Sequence, residues 1–351
     1  MPMNIYENNR WKIILRPLAK IYGFIIRIRE KLYAKNIFRT YKLDCQVICV
    51  GNITVGGTGK TPVVEFLAQF LTRKRRLKVG VLSRGYKRSS SGTVIVTDGL
   101  QIQADSRQAG DEPYLLAKNL KNVPIVVDEN RVRGGRILLK KFGIDLILLD
   151  DGFQHHRLQK DLNIVVINAR NGFGNNELLP AGPLREPLDA LYRAELLWIH
   201  QPLSLRWPEL RNLLRSYRHA RRVYSDYSPT HLVEIPSEKE APLERLKNKR
   251  VLAFAGIANP ARFRETLETL DCKEIRLISF PDHHFYTPKS MKKISAELRA
   301  FQPDLLVTTE KDFVRLSPEF QIAIPFYYLK LEIKVIQGLE WIRNFETLIQ
   351  N

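Results

Sequence analysis

From residue 44 onward, short β-branched apolar runs alternate with stretches that repeat at helical spacing. The runs predict strands at 46–50, 78–82, 93–97, 124–128, 145–149, 163–167 and 195–199. Several are almost entirely apolar, which is typical of parallel strands buried on both faces. Apolar residues from Val64 to Leu71 recur at i, i+3, i+4 and i+7, and predict a helix that starts at Thr61. The pattern therefore predicts an α/β fold with a mostly parallel sheet flanked by helices.

The first 43 residues follow a different pattern, in which apolar and basic residues occupy opposite faces of a predicted helix over 12–35. The apolar face holds Ile14, Leu18, Ile21, Ile25, Ile28 and Leu32, and the basic face holds Lys12, Arg16, Lys20, Arg27 and Lys31. Such a helix suits the headgroup layer of an anionic membrane. The alternative is a helix packed on the protein's own core with its basic face in water. Pro17 either kinks this helix or marks its start.

A change of composition divides the rest of the chain. Residues 201–249 are rich in Arg and Pro, and a second α/β pattern starts near 250, with strands expected near 274–279 and 304–308. We expect a membrane-associating helix over 1–43, a core domain over 44–220, a connection over 221–249, and a smaller C-terminal domain over 250–351 that closes over the active site. No run reaches the ~20 apolar residues of a spanning helix, and the N-terminus lacks the pattern of a secretory signal.

Charge and cysteine content narrow the class of protein. The formal net charge of +19 requires a negatively charged partner, and residues 1–43 hold ten Lys or Arg against two acids. Nucleic acid and an anionic membrane are the usual partners of such a surface. Cys45, Cys49 and Cys272 show no metal-ligand spacing and are too few for a disulfide framework. A reducing, cytosolic compartment is therefore expected.

The stretch VGNITVGGTGKTP, residues 50–62, follows the first predicted strand and ends in Gly-Lys-Thr. It predicts a phosphate-binding loop of the P-loop NTPase type, although Thr54 stands where the usual template has its first glycine. The residues expected to surround the ATP phosphates are Thr54, Val55, Gly56, Gly57, Thr58, Gly59, Lys60 and Thr61. Lys60 is expected to reach the β- and γ-phosphates, and the Thr61 hydroxyl to bind Mg²⁺.

A second phosphate-site element is expected where the strand at 145–149 ends. Asp150 and Asp151 follow it directly, and two adjacent carboxylates there suit Mg²⁺ and its waters. Gln154, His155 and His156 come within a further turn and are within reach of a γ-phosphate. The sequence leaves open which aspartate contacts the metal.

Two further clusters suggest help for an attacking hydroxyl. Asp111 and Glu112 open a helical pattern, where they are either catalytic or first-turn acids favoured by the helix dipole. The stretch FPDHHFY contains His283 and His284 on a predicted loop of the second domain. If the two domains face one another, His283 would meet Asp111 and tune its basicity.

Taken together, these motifs resemble the tetraacyldisaccharide 4'-kinases of lipid A biosynthesis, the LpxK family. The resemblance rests on an ordered set that covers most of the chain: VGNITVGGTGKTP, SRGYKR, GDEPYLLA, DENR, DDGFQHHRL, LLPAGPLREP, AFAGIANPARF, FPDHHFY and TTEKD. It implies an enzyme on the cytoplasmic face of the bacterial inner membrane. Such an enzyme moves the γ-phosphate of ATP, with Mg²⁺, to the 4'-hydroxyl of an acylated glucosamine disaccharide 1-phosphate.

The resemblance also implies roles for individual residues. Asp111 would be the catalytic base, paired with His283, and Lys60 and Thr61 would hold ATP and Mg²⁺. The phosphoryl site would be lined by Asp150, Asp151, Gln154 and His155. Contacts to the nucleotide phosphates or the lipid head group would come from Arg84, Arg131, Arg185 and Glu186. TTEKD would either cap the nucleotide or form a plain strand-to-helix turn, and no obligate protein partner is implied.

Two other classes of function remain as alternatives. A nucleotide-driven switch at the membrane fits the loop, Asp150 and the basic helix, but it leaves Asp111 and His283 without a role. A nucleic-acid-binding ATPase fits the net charge and would show salt-dependent affinity for DNA or RNA. The chain has no nucleic-acid motif, and the amphipathic spacing of its first basic segment favours lipid. Nucleic acid is therefore not expected as a partner.

Overall fold

The computed structural model describes residues 9–75, 77–202, 207–316, 320 and 322–344. Its helices are α1 (Asn9–Ala34), α2 (Lys60–Arg75), α3 (Ser106–Ala109), α4 (Asp111–Asn119), α5 (Arg131–Phe142), α6 (Trp207–Leu214), α7 (Pro260–Glu268), α8 (Pro288–Phe301), α9 (Glu310–Phe313) and α10 (Leu339–Arg343). Its strands are β1 (Gln46–Gly51), β2 (Val79–Ser83), β3 (Val94–Thr97), β4 (Ile125–Val127), β5 (Leu146–Asp150), β6 (Leu162–Asn168), β7 (Leu196–His200), β8 (Arg221–Glu234), β9 (Glu240–Ala241), β10 (Arg250–Ala255), β11 (Glu274–Ser279), β12 (Leu305–Thr309) and β13 (Phe326–Gln337).

The chain forms two compact units. The first consists of the residues up to Ala109, Leu116–Asp226, and the residues from Ile333 onward. The second consists of Gly110–Leu115 and Tyr227–Glu332. The first turn of α4, which carries Asp111, therefore belongs to the same unit as His283.

The first unit is built on a mostly parallel sheet in the order β8-β7-β6-β1-β5-β2-β4-β3, in which only β3 is antiparallel to its neighbour. The seven predicted strands are confirmed to within one residue at each end. Every residue of β5 and β7 is buried, as their apolar sequences predict for strands covered on both faces. The predicted helix after the glycine-rich loop is α2, which starts at Lys60.

The second unit has its own parallel strands in the order β11-β10-β12-β13, with β9 antiparallel to the second half of β8. Two apolar clusters, centred on Ala253 and Phe254, cover the two faces of β10. The α/β fold expected for this region is confirmed. Residues 221–234, expected as part of a connection, instead form the long strand β8. Only Val223, Ser225, Leu232 and Val233 of this strand are buried, so it lacks the continuous apolar run of the central strands.

The N-terminal helix α1 packs on the rest of the first unit through a narrow buried face. Ala19, Gly23 and Ile26 are buried, and a Cβ on Gly23 would lie 2.7 Å from Leu178 Cδ1. The apolar set of this helix stays exposed instead: Ile14, Leu18, Ile21, Phe24, Ile25 and Ile28. Leu32 is half-buried, the side chain of Lys12 lies outside the described residues, and Pro17 sits inside the helix. The predicted apolar face is therefore not the face that packs on the protein core.

Candidate active site

The glycine-rich loop joins β1 to α2 and has the form that the sequence predicts. Gly56 and Gly59 have φ values of 101° and 93°, a region that glycine adopts without strain. The Asn52 side chain closes the loop by donating to the Thr54 carbonyl at 2.8 Å and to the Thr58 hydroxyl at 3.0 Å. The backbone N–H groups before α2 thereby lie at a helix N-terminus, the usual place for a bound phosphate.

The departure of Thr54 from the usual glycine has a local explanation. Thr54 is buried and pairs with Leu184 in an isolated antiparallel bridge, while Val55 N–H donates to the Pro183 carbonyl at 2.8 Å. The start of the loop is thus held by the segment 183–184, so that a side chain at position 54 is accommodated. Leu184 precedes Arg185 and Glu186, and this pairing also places those two residues beside the loop.

The acid pair Asp150-Asp151 lies next to the glycine-rich loop because β5 is the parallel neighbour of β1, with Val50 opposite Asp150. The buried Asp150 accepts a hydrogen bond from the Ser83 hydroxyl at 3.0 Å. Asp151 lies 2.9 Å from Arg185 Nη1 and 3.6 Å from Lys60 Nζ. The two aspartates therefore have different surroundings, and Asp151 is the one that faces the cations.

A half-buried lysine, which the sequence did not single out, holds the loop after β5. The ammonium group of Lys160 donates to the carbonyl oxygens of Gly152, Phe153 and His155 at 3.5, 3.3 and 3.1 Å. Gly152 itself has no space for a side chain, because a Cβ there would lie 2.2 Å from Leu149 Cδ2. Burial lowers the pKa of Lys160, and the three carbonyls offset the loss of water around its charge. The loop that carries Gln154 and His155 is thereby fixed.

His155 and Arg131 share one electrostatic neighbourhood. Burial, followed by the charges of Arg131 and Lys160, lowers the pKa of His155 to about 3, so its imidazole is neutral at physiological pH. Burial and the nearby charge of Arg84 lower the pKa of Arg131, while Asp151 and Asp150 oppose this effect. A guanidinium nevertheless stays protonated at neutral pH. The predicted residues Arg84, Arg131 and His155 are thus close enough to the acid pair to influence one another.

Glu186 is the fully buried centre of a polar network. Arg193 contacts one of its oxygens, Arg29 Nη2 lies 3.4 Å from the other, and His156 Nε2 lies 3.6 Å away. Burial by itself would raise the pKa of Glu186. Hydrogen bonds and charge from His156 and Arg193 outweigh burial and lower the pKa below its usual value, so the carboxylate is ionised. Gln154 Nε2 donates to Glu186 at 3.3 Å and to the Asn52 carbonyl at 2.8 Å. The network connects the loop after β5 to the glycine-rich loop.

Helix α1 contributes directly to this network. The Tyr22 hydroxyl donates to the Arg185 carbonyl at 2.9 Å, and Tyr33 stacks on His156 with ring centroids 5.3 Å apart. Glu30 lies 3.6 Å from Arg193. Arg193 lies more than 160 residues after Arg29 and Glu30, and none of the three belongs to a motif, so the sequence did not predict their contact. The basic charge of the first segment is thus partly used to hold Glu186.

In the second unit, Asp111 and His283 meet as the sequence predicts, with Asp111 Oδ2 3.3 Å from His283 Nδ1. A third residue, Arg315, joins them, and the sequence analysis did not predict it. Its side chain is only 1% exposed. Arg315 Nε donates to the same oxygen of Asp111 at 2.6 Å, and its Nη2 lies 3.2 Å from His283 Nδ1. Burial raises the pKa of Asp111, but the His283 hydrogen bond and the Arg315 charge outweigh burial, so the pKa of Asp111 lies below its usual value.

Arg315 is itself held by a buried acid. Asp312 Oδ1 lies 3.4 Å from Arg315 Nη1, and it accepts hydrogen bonds from the Tyr286 hydroxyl at 2.9 Å and from Gly256 N–H at 3.0 Å. Arg315 Nη1 also donates to the Gly256 carbonyl at 2.9 Å. Burial raises the pKa of Asp312, whereas the His283 hydrogen bond and the charge of Arg315 lower the pKa of Asp111. The result is a rigid support beneath Asp111.

The structure describes the surroundings of two features whose roles the sequence left open. Glu112 pairs with Lys311 Nζ at 2.6 Å, so this first-turn acid forms a partly exposed salt bridge. TTEKD forms a strand-to-helix turn, in which Thr309 ends β12 and caps α9 by accepting from Asp312 N–H at 3.1 Å. The same turn delivers Asp312 to the support described above.

A glycine-rich loop between a parallel strand and a helix, with an acid pair at the end of the adjacent strand, defines a P-loop nucleotide-binding protein. Comparison with known proteins is more specific, since the sequence model of tetraacyldisaccharide-1-P 4'-kinase, LpxK, matches residues 11–350. The chain belongs to the LpxK family.

Individual relatives agree over nearly the whole chain. A tetraacyldisaccharide 4'-kinase of Syntrophus aciditrophicus is 35% identical over 98% of this chain and 93% of its own length. One of Halothermothrix orenii is 38% identical over 92% of this chain and 88% of its own. Among solved structures, LpxK from Aquifex aeolicus, described as a complex with ATP, superposes with a TM-score of 0.77 at 32% identity, covering 95% of this chain and 98% of that one.

Proposed function

We propose that this protein transfers the γ-phosphate of ATP to the 4'-hydroxyl of a tetraacyl-glucosamine disaccharide 1-phosphate, which gives lipid IVA in lipid A biosynthesis. Family membership supports this reaction. The observation that carries it is Asp111, an ionised and nearly buried carboxylate beside His283 and Arg315. A nucleotide switch that only hydrolyses ATP has no need for a second, elaborately supported acid.

The glycine-rich loop and its neighbours would hold ATP. The backbone from Thr54 to Gly59 would surround the β- and γ-phosphates, and Lys60 would contact the γ-phosphate. Arg185, which lies 2.9 Å from Asp151, would offset charge on the transferred group. Gln154, fixed by Asn52 and Glu186, would orient the phosphoryl oxygens, and Arg84, Arg131 and His155 would complete the contacts to substrate.

The oxygens of Thr61 and Asp150 fit a magnesium ion, because hydroxyl and carboxylate oxygens are its preferred protein ligands. Both residues are buried beside the glycine-rich loop, and Asp150 is fixed by Ser83. Asp151 is directed to Arg185 and Lys60, so we assign the direct contact to Asp150 and a supporting role to Asp151. A bound Mg²⁺ would neutralise charge on the phosphates.

Asp111 would act on the acceptor. In-line phosphoryl transfer depends mainly on positioning and on offsetting charge, with little covalent chemistry for the protein to perform. The Asp111 carboxylate would orient the sugar hydroxyl and accept its proton as the new P–O bond forms. His283 and Arg315 would hold the carboxylate in one rotamer and keep it ionised.

The reaction is proposed to take place at the cytoplasmic face of the inner membrane, with the protein bound peripherally. None of the described helices is both long and apolar enough to cross a bilayer. The exposed side chains Ile14, Leu18, Ile21, Phe24, Ile25 and Ile28 of α1 form an apolar surface, with the basic residues of the same helix beside it. Such a helix lies in the headgroup layer rather than across it.

Replacing Ile21 and Ile25 together by Asp is expected to weaken binding to anionic vesicles at least tenfold. The two side chains are 57% and 58% exposed, so the change removes apolar area from the membrane contact with little effect on folding. Vesicle co-sedimentation measures the loss. The matched control replaces Leu100 and Ile102 by Asp, because these exposed apolar residues lie in the same unit outside α1. Equal losses in both variants would contradict a membrane role for α1.

The reaction is tested by following the γ-phosphate of labelled ATP with purified protein, Mg²⁺ and the disaccharide 1-phosphate lipid in detergent. Label on the lipid is expected with the natural chain. Its transfer should fall by about 10²-fold or more in Lys60→Met, which removes a cation from the developing charge. Label released only as inorganic phosphate, with a verified acceptor present, would identify the protein as a nucleotide switch instead.

A further inference from the structure

Three arginines from separate segments converge on one tyrosine ring in the first unit. The guanidinium carbons of Arg39, Arg136 and Arg157 lie 5.1, 5.8 and 5.2 Å from the centroid of the Tyr41 ring. Arg39 follows α1, Arg136 belongs to α5, and Arg157 lies in the loop after β5. We call this group the Tyr41 cluster.

The centre of the Tyr41 cluster is fixed by the backbone. Tyr41 N–H donates to the Arg157 carbonyl, and Gln159 N–H donates to the Tyr41 carbonyl, each at 2.9 Å. A hydrogen bond from the Arg157 side chain, followed by the charges of Arg39 and Arg136, lowers the pKa of Tyr41. The ring is therefore a rigid platform on which three exposed guanidinium groups gather.

The positive charge of the Tyr41 cluster has no carboxylate partner in the described part of the chain. Among the described residues, no carboxylate forms an ion pair with Arg39, Arg136 or Arg157. Two other arginines near the site do have such a partner, since Arg185 pairs with Asp151 and Arg193 with Glu186. Like charges repel, by about 1 kcal/mol for a pair 4 Å apart in water. A bound anion with several oxygens would remove this repulsion.

The Tyr41 cluster is close to the phosphoryl site along two separate paths. Arg157 follows Gln154 by three residues, and three extended residues span at most about 10 Å. Arg136 follows Arg131 by five residues of α5, a rise of about 7.5 Å. Both paths keep the backbone of the cluster within about 10 Å of residues proposed to surround the transferred phosphate, a separation comparable to the length of a disaccharide.

We propose that the Tyr41 cluster binds the phosphate monoester at the far end of the acceptor disaccharide, its 1-phosphate. Guanidinium groups match phosphate oxygens in charge and geometry, and three of them approach such a group from different sides. This inference rests on the proposed function. Binding of the 1-phosphate by the cluster would position the acceptor, so that its 4'-hydroxyl reaches the transfer site only when the 1-phosphate is bound. Phospholipid headgroups carry phosphate too, so the test separates these two sources.

The test compares two acceptors that differ only in the presence of the 1-phosphate, with the natural chain and with the triple variant R39Q/R136Q/R157Q. The natural chain is expected to use the phosphorylated acceptor with the higher kcat/KM. The triple variant should lose about 10- to 100-fold on that acceptor, the value of one or two charged hydrogen bonds, and nothing on the other. Loss confined to one acceptor is a readout that damage to the fold does not produce.

The control variant K121Q/R211Q/R218Q removes the same charge from exposed positions elsewhere in the first unit. It should behave like the natural chain on both acceptors. Equal losses on the two acceptors, or an unchanged preference in R39Q/R136Q/R157Q, would overturn the inference. So would reduced binding to phosphatidylglycerol vesicles with the preference intact, which would assign the cluster to bulk headgroups. No transfer to either acceptor by the natural chain would instead refute the proposed function, and the inference with it.

Discussion

Replacing Asp111 by Asn is expected to lower the rate of phosphoryl transfer by about 10²- to 10⁴-fold while ATP binding stays unchanged. The amide has the shape of the carboxylate but cannot accept the hydroxyl proton. Because the pKa of Asp111 is held below its usual value by His283 and Arg315 against the effect of burial, the group is ionised throughout the neutral range. Steady-state kinetics with labelled ATP measures the rate, and equilibrium nucleotide binding provides the second readout.

The neighbouring acid provides the matched control for Asp111→Asn. Glu112 lies in the same first turn of α4 but pairs with Lys311 at 2.6 Å, with both side chains about one-third exposed. Glu112→Gln should therefore retain transfer within a few-fold, since an ion pair of this exposure contributes little. Asp111→Asn with nearly natural activity would contradict its role as the base. A lost affinity for ATP in the same variant would show that the substitution acts on the fold.

Replacing Arg315 by Met is expected to destabilise the protein by about 3–5 kcal/mol, the cost of leaving a buried charge without its partner. The side chain of Arg315 is 1% exposed and contacts Asp111, Asp312 and the Gly256 carbonyl. Urea unfolding at pH 7 measures the loss. The control is Arg276→Met, which breaks an exposed pair with Glu297 and should cost less than about 1 kcal/mol. Equal losses in the two variants would contradict a supporting role for Arg315.

The Arg315 variants also carry a pH signature. The pKa of Asp111 is lowered in the folded protein, so the stabilisation it provides is present above its unfolded value of 3.8 and is lost as the pH falls below that value. The stability difference between Arg315→Met and the natural chain should therefore shrink in acid.

Arg315→Lys restores the charge with fewer hydrogen bonds and remains testable if the Met variant fails to fold. The transfer rate of Arg315→Lys should lie between those of the natural chain and Arg315→Met. In its pH–rate profile, the loss of activity in acid should begin at a higher pH than in the natural chain.

Local patterns in the sequence determined most of the first unit. Apolar runs of strand length, the glycine-rich loop and the start of α2 are properties of neighbouring residues, so they can be predicted without tertiary contacts. The placement of Asp150 beside the loop also follows, because parallel neighbouring strands end at the same edge of a sheet. The sequence also determined the family, through the order of its motifs.

The tertiary structure alone decided which residues support the predicted groups. Arg315 meets Asp111, and Lys160 meets three carbonyls of the loop after β5, through side chains that no motif or periodicity links. In α1 the amphipathic pattern defined two faces but not the face that packs, which is set by the close approach that Gly23 permits. Burial and charge balance depend on contacts between segments that are distant in the sequence. Local patterns in a single sequence do not show which distant segments will meet.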